Sequence, residues 1–347
     1  MGMRKKDILR HPTRPLEIDR RKNVAALLEK MQGISFQGRS LATAYQIWRR
    51  MLADRVTIMM GMSGAMVPAG MRRLVVYLIK KRLIDCLVTT GANLFHDIHE
   101  TQGRYHFQSS PEIDDVLLQK NLIDRMYDTL ADEEEFRDAD AMIGDFASKL
   151  DQSRPYTTRE FLYLLGQKLS KGAKEDGIVT AAYKARLPLY CPAVGDSSIG
   201  IGIAENRALG KNHLTFDVIG DVLETAQIAA NSPGSAVIYF GGGTPKNFVN
   251  QTEVTATFIR NSHQGHRYAV QVVTDAPHWG GLSGCTFAES QSWGKIAHDA
   301  KMVDVYCDST IAMPLLVTAL SENTRLIRGR RKPVFEMGRE LKFTFPK

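Results

Sequence analysis

The residues with the clearest chemical potential are Ser292-Trp293-Gly294-Lys295-Ile296. A lysine beside a tryptophan can lose solvation, which disfavours its charged form and frees the amine to attack a carbonyl or imine. Gly294 leaves room for a substrate against the backbone. An arbitrary lysine is a solvated surface charge far more often than a nucleophile, so context alone sets Lys295 apart. Just upstream, Asp275, His278, Ser283 and Glu289 share a segment with Gly280, Gly281 and Gly284. A polar, glycine-rich connection of about 20 residues inside a compact domain is more often an active-site loop than filler. Glu289 could act as general base, bind an ammonium, or be a surface carboxylate, and composition does not choose among these.

Two further groups stand at the ends of apolar runs. Gly241-Gly242-Gly243 lets the backbone approach a ligand where a Cβ would clash, and the helix expected after it offers free N–H groups to phosphate. A bare tight turn is the alternative, and without a Gly-x-Gly-x-x-Gly fingerprint the glycines name no cofactor. His96, Asp97, His99 and Glu100 form a dense polar group, with His96 and His99 on one helix face. No third ligand sits at a supporting spacing, so the expectation is an exposed helix with one histidine turned into a cleft, and no metal.

These groups must be positioned by the elements around them. Six short apolar or β-branched runs, at 56–60, 83–90, 187–191, 236–240, 268–274 and 302–307, end in Gly, Asp, Thr or Pro and lead into helical patterns such as 71–81 and 311–320. Near-continuous apolar strands separated by helices predict an α/β fold, a mostly parallel sheet with helices on both faces. Ligands of such sheets bind beyond the carboxyl ends of the strands. The stretch 117–169 reads as mostly helical, with Asp132-Glu133-Glu134-Glu135 at a solvated helix end.

Composition narrows the class. The 347 residues carry 45 Lys plus Arg against 38 Asp plus Glu, a formal +7, with 44% hydrophobic residues. Disorder as the main state is excluded. The charge sits at the ends: residues 1–22 hold +5 and residues 325–347 hold +6, leaving −4 for residues 23–324. A nucleic-acid partner therefore loses its electrostatic support. Cys86, Cys191, Cys285 and Cys307 form no Cys-x-x-Cys pair and read as reduced thiols. Residues 1–15 lack the apolar core of a signal peptide, and no apolar run reaches membrane-span length. The expectation is a cytoplasmic protein, divided into a basic extension (1–40), one catalytic domain (41–324) and a second basic extension (325–347).

The motifs, taken together, resemble the deoxyhypusine synthase family, in a divergent, bacterial-type form, over roughly residues 40–322. The most specific piece runs from Ser292-Trp293-Gly294-Lys295-Ile296 through His298-Asp299-Ala300, Val305-Tyr306-Cys307-Asp308 and Pro314-Leu315-Leu316-Val317. Also similar are Leu87-Val88-Thr89-Thr90, Pro192-Ala193 with Asp196-Ser197-Ser198-Ile199-Gly200, and Gly241-Gly242-Gly243 with Lys246. The resemblance implies a Rossmann-like, NAD-binding fold and a homotetramer with active sites at a dimer interface. It implies oxidation of a polyamine by NAD, transfer of an aminobutyl imine to Lys295, and passage of that group to an acceptor amine. It further implies that Glu289 faces a substrate amine and that Trp293 packs on the polyamine chain. Gly64, Ala65, Thr90, Gly91, Asp196, Gly242, Gly243, Thr274, Ser283, Asp308 and Ser309 match positions lining the NAD site.

Departures from the pattern bear on substrate. Ile201 and Leu282 stand where the eukaryotic enzymes have aspartates, Asn247 replaces a histidine, and His96 replaces a glutamate. An ammonium buried against Ile201 and Leu282 would cost several kcal/mol, so spermidine is not held in the same way. The expected activity is an NAD-dependent alkylamine transferase acting on a polyamine or related amine, with homospermidine as a natural product. Deoxyhypusine synthesis on a protein lysine, or a non-catalytic NAD-binding regulator, are the alternatives.

Overall fold

The computed structural model describes residues 11–20 and 23–346, and the expectations for residues 1–10, 21, 22 and 347 lie outside the described residues. Helices α1 (Val24–Met31) and α2 (Phe36–Ala53) lead into strand β1 (Thr57–Met62), a π-helical turn (Val67–Met71), α3 (Arg72–Lys80), β2 (Cys86–Thr89) and α4 (Gly91–Thr101). Next come β3 (Phe107–Gln108), α5 (Asp115–Lys120), β4 (Ile123–Met126), β5 (Thr129–Asp132), α6 (Glu133–Ser148), α7 (Thr158–Leu169), α8 (Ile178–Ala185) and β6 (Leu189–Tyr190). The second half holds α9 (Ser198–Ala208), α10 (Val218–Ala230), β7 (Ser235–Phe240), α11 (Gly243–Asn250), α12 (Thr252–Arg260) and β8 (His266–Val273). It closes with α13 (Phe287–Ser292), β9 (Ile296–Tyr306), α14 (Ser309–Ser321), α15 (Thr324–Gly329) and a hairpin of β10 (Val334–Met337) and β11 (Leu341–Thr344).

All six runs expected as strands join one sheet in the order β6-β2-β1-β7-β8-β9, every neighbouring pair parallel. β1 and β7 are buried along their whole length because both faces of the sheet are covered. Ile58, Met60 and Met62 enter a large cluster with α2, α3, α4 and α14. Met59, Val237 and Tyr239 point the other way, into a smaller cluster with Val249 of α11 and Phe287 of α13. From β1 the chain builds outward to β2 and β6, then returns to lay β7 against β1 and builds outward again. The topological switch point, where such sheets bind ligands, therefore lies between the carboxyl ends of β1 and β7.

The stretch 117–169 is mostly helical, as expected, but β4 and β5 interrupt it and, with β3, form a separate antiparallel sheet of very short strands. Four-residue strands leave too little alternation to read. The acidic run does mark a helix end, with Asp132 capping α6 through the N–H groups of Glu134 and Glu135. Two other sequence expectations need correction. The boundary at residue 41 falls within packed structure, since Leu28 is fully buried and the Ala25 N–H donates to Glu322. The C-terminal segment is no solvated tail either. Arg330 forms a buried ion pair with Asp85, whose carboxylate also accepts the Ile58 N–H, and Arg159 donates to the carbonyls of Gly338 and Arg339. Arg330 and the backbone of residues 338–339 are thus spent on buried partners far away in sequence.

Candidate active site

At the switch point the loops interlock through small residues. The Ser63 hydroxyl donates to the Gly242 carbonyl, and the Thr90 hydroxyl donates to the Gly64 carbonyl at 3.0 Å. Asn93, fully buried, accepts the Met66 N–H at 2.7 Å and donates to Thr89 and Thr90 hydroxyls. A Cβ on Gly91 would lie 2.2 Å from the Ser197 hydroxyl, so glycine there lets the β2 and β6 loops touch. Gly243 has φ 60° and no atom within 4 Å of where a Cβ would stand. Two helix starts at this edge lack a side-chain cap: Gly242 before α11 and Ser197 before α9. Their first N–H groups stay free for an anion, whereas Thr90 and Asp308 use their side chains to cap α4 and α14. Asp196 and Thr274 are exposed on the same edge, and Ser309 is buried at the start of α14. An open glycine cradle flanked by uncapped helices fits the pyrophosphate of a dinucleotide.

The connection from β8 to β9 then descends the face of the sheet that carries α11. Its anchor is Lys246, 1% exposed, whose ammonium donates to the carbonyls of Leu282, Ser283 and Cys285 at 3.1, 3.1 and 2.6 Å. Burial pulls this ammonium below the usual lysine range. The clamp seats Ser283 on Gly242, where a Cβ would fall 2.3 Å from the Ser283 Cα. Gly242, Lys246 and Ser283 thus form a single mechanical unit.

Lys295 lies at the foot of this loop, next to the amino end of β9. Its backbone is fixed by bonds to His266 and Ser290, and its Nζ donates to Asn247 Oδ1 at 3.0 Å. Nζ stands 5.4 Å from the centroid of the Trp293 ring. Glu289 is exposed on α13, one turn before Trp293. Sequence reasoning expected the tryptophan to strip water from the amine, but Trp293 is 68% exposed, so one subunit leaves that face open. Ile201 and Leu282 are also exposed, at 58% and 41%. No ammonium needs to be buried against them within this chain.

His96 departs from its expected place. The helix around it is buried, not exposed, because Phe136 of α6 packs on the rings of His96, His99 and His106. His96 Nδ1 is 2.9 Å from His106 Nε2, and His106 Nδ1 is 2.8 Å from Glu100. Burial pushes the His96 imidazole down to about 3 and that of His99 to about 4, so both are neutral near pH 7. Asp97 serves architecture, accepting from Arg72 Nε and from the first N–H groups of α8. Among the described residues no group of three or more His, Cys, Asp or Glu is arranged to hold a metal ion. Sequence reasoning missed Ser63, Asn93 and the clamp of Lys246. Asn93 had a visible signal, three residues after the Thr90 cap, but the loop carbonyls that receive Lys246 leave no mark in a sequence.

A doubly wound parallel sheet, an open glycine cradle at its switch point and an amide-held lysine on the adjoining face mark a Rossmann-like dinucleotide-binding protein. The family model described as deoxyhypusine synthase matches residues 26–320. The chain is 50% identical over 326 residues to Probable deoxyhypusine synthase 2 of Methanosarcina mazei, covering 93% of each. It is 35% identical to a deoxyhypusine synthase-like protein of Coxiella burnetii, covering 90% of this chain and 86% of the relative. A crystal structure assigned as a deoxyhypusine synthase of Entamoeba histolytica superposes with TM-score 0.63 at 20% identity, covering 90% of this chain and 97% of that one. The chain belongs to the deoxyhypusine synthase family, which is NAD-dependent, acts on amines and works as a homotetramer. Among the described residues no helix is long and apolar enough to cross a membrane.

Proposed function

We propose that this protein is an NAD-dependent alkylamine transferase that carries an aminobutyl-type group on Lys295 and delivers it to a small amine, forming homospermidine when that amine is putrescine. The observation that carries the reading is the Lys295 Nζ to Asn247 Oδ1 bond, beside Trp293 and below the glycine cradle. Bound NAD supplies the acceptor for hydride taken from the carbon beside the donor's secondary nitrogen and returns that hydride at the end. The protein's own work lies between. The Lys295 amine attacks the donor iminium carbon, the bond from that carbon to the departing diamine nitrogen breaks, and the diamine leaves as a neutral amine carrying one proton from Lys295, which is left as the iminium. The acceptor amine then attacks the lysine imine and Lys295 is regenerated. Glu289 would receive an ammonium of the substrate, and the Trp293 face would take its methylene chain.

Gly64, Ala65, Thr90, Gly91, Asp196, Gly242, Gly243, Thr274, Ser283, Asp308 and Ser309 would line the NAD site, and the exposed face of Trp293 would be closed by a second subunit in a homotetramer. A cytoplasmic location suits an NAD-dependent enzyme with reduced cysteines. Archaeoglobus fulgidus has two relatives, Probable deoxyhypusine synthase 2 at 47% identity and Probable deoxyhypusine synthase 1 at 36%. Two paralogues in one organism support a different acceptor for the type this chain is more similar to. The names of these archaeal relatives favour the second reading, aminobutylation of a protein lysine. Incubation with NAD and a panel of amines, followed by borohydride, should label Lys295, and Lys295→Arg should abolish both label and product while leaving NAD binding intact. Product formation by Lys295→Arg would overturn the mechanism, and mass analysis of the product separates a free polyamine from a modified protein.

A further inference from the structure

The amide of Asn247 has two ends, and only one of them suits a nucleophilic amine. A neutral primary amine has two N–H groups and one lone pair. When it donates an N–H to Oδ1, as Lys295 does at 3.0 Å, the lone pair points away from Asn247 and is available to a substrate. Turned by half a rotation, the same amide would present Nδ2, and its N–H would occupy the lone pair. The other end of the amide meets the residue one helical turn on. Asn247 Nδ2 donates to Gln251 Oε1 at 3.0 Å, and the Gln251 backbone N–H donates to the Asn247 carbonyl at 2.9 Å. Gln251 sits at the junction of α11 and α12 with its side chain exposed, so the bond holds up no core.

We infer that Gln251 is a positioning residue for Lys295: by accepting from Asn247 Nδ2 it keeps Oδ1 toward the amine and the amine's lone pair free. This deepens the proposed function and rests on Lys295 being the attacking group. Lys246, which precedes Asn247 on α11, interacts electrostatically with Lys295, and the same cluster holds Glu289 on α13, Asp304 on β9 and Cys285. The ring of Trp293 lies 5.4 Å from Nζ, and the His263 ring closes over Gly294. A neutral amide among these groups orients the amine without pairing with it, which an aspartate at 247 could not do.

The test needs neither NAD nor a polyamine. Full-length protein is reductively methylated with formaldehyde and cyanoborohydride from pH 7 to 10, and modification of Lys295 is followed by peptide mass spectrometry. Gln251→Leu should slow labelling across this pH range by up to about fivefold, the equilibrium weight of one net hydrogen bond. Gln251→Glu, whose carboxylate only accepts, should label like the wild type. Asn247→Asp, whose carboxylate pairs with the amine as an ion, should slow labelling more than Gln251→Leu does. A Gln251→Leu profile identical to wild type, or loss with Gln251→Glu equal to that with Gln251→Leu, overturns the assignment. Borohydride trapping with NAD and amines, run on the wild type in parallel, reports separately on whether Lys295 carries a substrate.

Discussion

Replacing Gly242 by alanine asks whether the glycine run exists to seat the β8–β9 loop. The added methyl would fall 2.3 Å from the Ser283 Cα and 2.6 Å from its Cβ. Comfortable carbon contacts begin at about 3.5 Å, so the loop must retreat by about 1 Å. The Lys246 bonds to Leu282 and Ser283, now 3.1 Å each, would stretch to about 4 Å and cease to be hydrogen bonds. Each bond from a charged donor is worth about 1.5–3 kcal/mol, but two partly exposed carbonyls regain water, so the net loss is about 2 kcal/mol. The loop should then open roughly 30-fold more often. Hydrogen exchange at residues 282–286 and titration with NAD should both register it, while the urea midpoint of the whole domain moves little. Wild-type protection and wild-type NAD affinity in Gly242→Ala would refute the clamp.

Other outcomes follow from separate parts of the fold. Asp97→Ala leaves the Arg72 guanidinium buried and short of its main partner, and should cost about 3–5 kcal/mol in urea unfolding. His96 and His99 are held neutral, below their unfolded value, so the unfolded chain binds more protons and stability should fall as pH drops from about 6.5 toward 4. Asp221, raised to about 7 by burial, acts with the opposite sign, adding stability at low pH that is lost as pH rises from about 4 to 7. His96→Gln should therefore flatten the acid limb of stability against pH, and an unchanged slope would contradict the neutral assignment. Leu282→Asp places a hydrated carboxylate on an exposed position and should favour spermidine over putrescine by a few-fold in Lys295 trapping rates.

The sheet was legible because its strands are buried on both faces, so runs such as 236–240 are apolar throughout. The order of those strands was not, since nothing local in β7 says that it returns to β1. Within the site, Asn247 meets Lys295 and Gly242 meets Ser283, pairings that the motifs name residue by residue but do not bring together. His96 could not be placed, because its surroundings are set by His106 and Phe136 on elements too short or too distant to be read. The C-terminal segment misled for the same reason: it is held by contacts far away in sequence, Arg330 on Asp85 and the carbonyls of Gly338 and Arg339 on Arg159.

That last contact has a consequence for synthesis. Asp85 at the start of β2 and Arg330 are 245 residues apart. At about 5–20 residues per second, a ribosome needs roughly 10–50 s to make the second after the first. Through that interval the carboxylate that pins the Ile58 N–H has its neighbour Arg82 for a counter-ion, and Arg330 is still to come. The amino-terminal half of the sheet is therefore translated long before its charge balance is complete, and its final stability arrives only with the end of the chain.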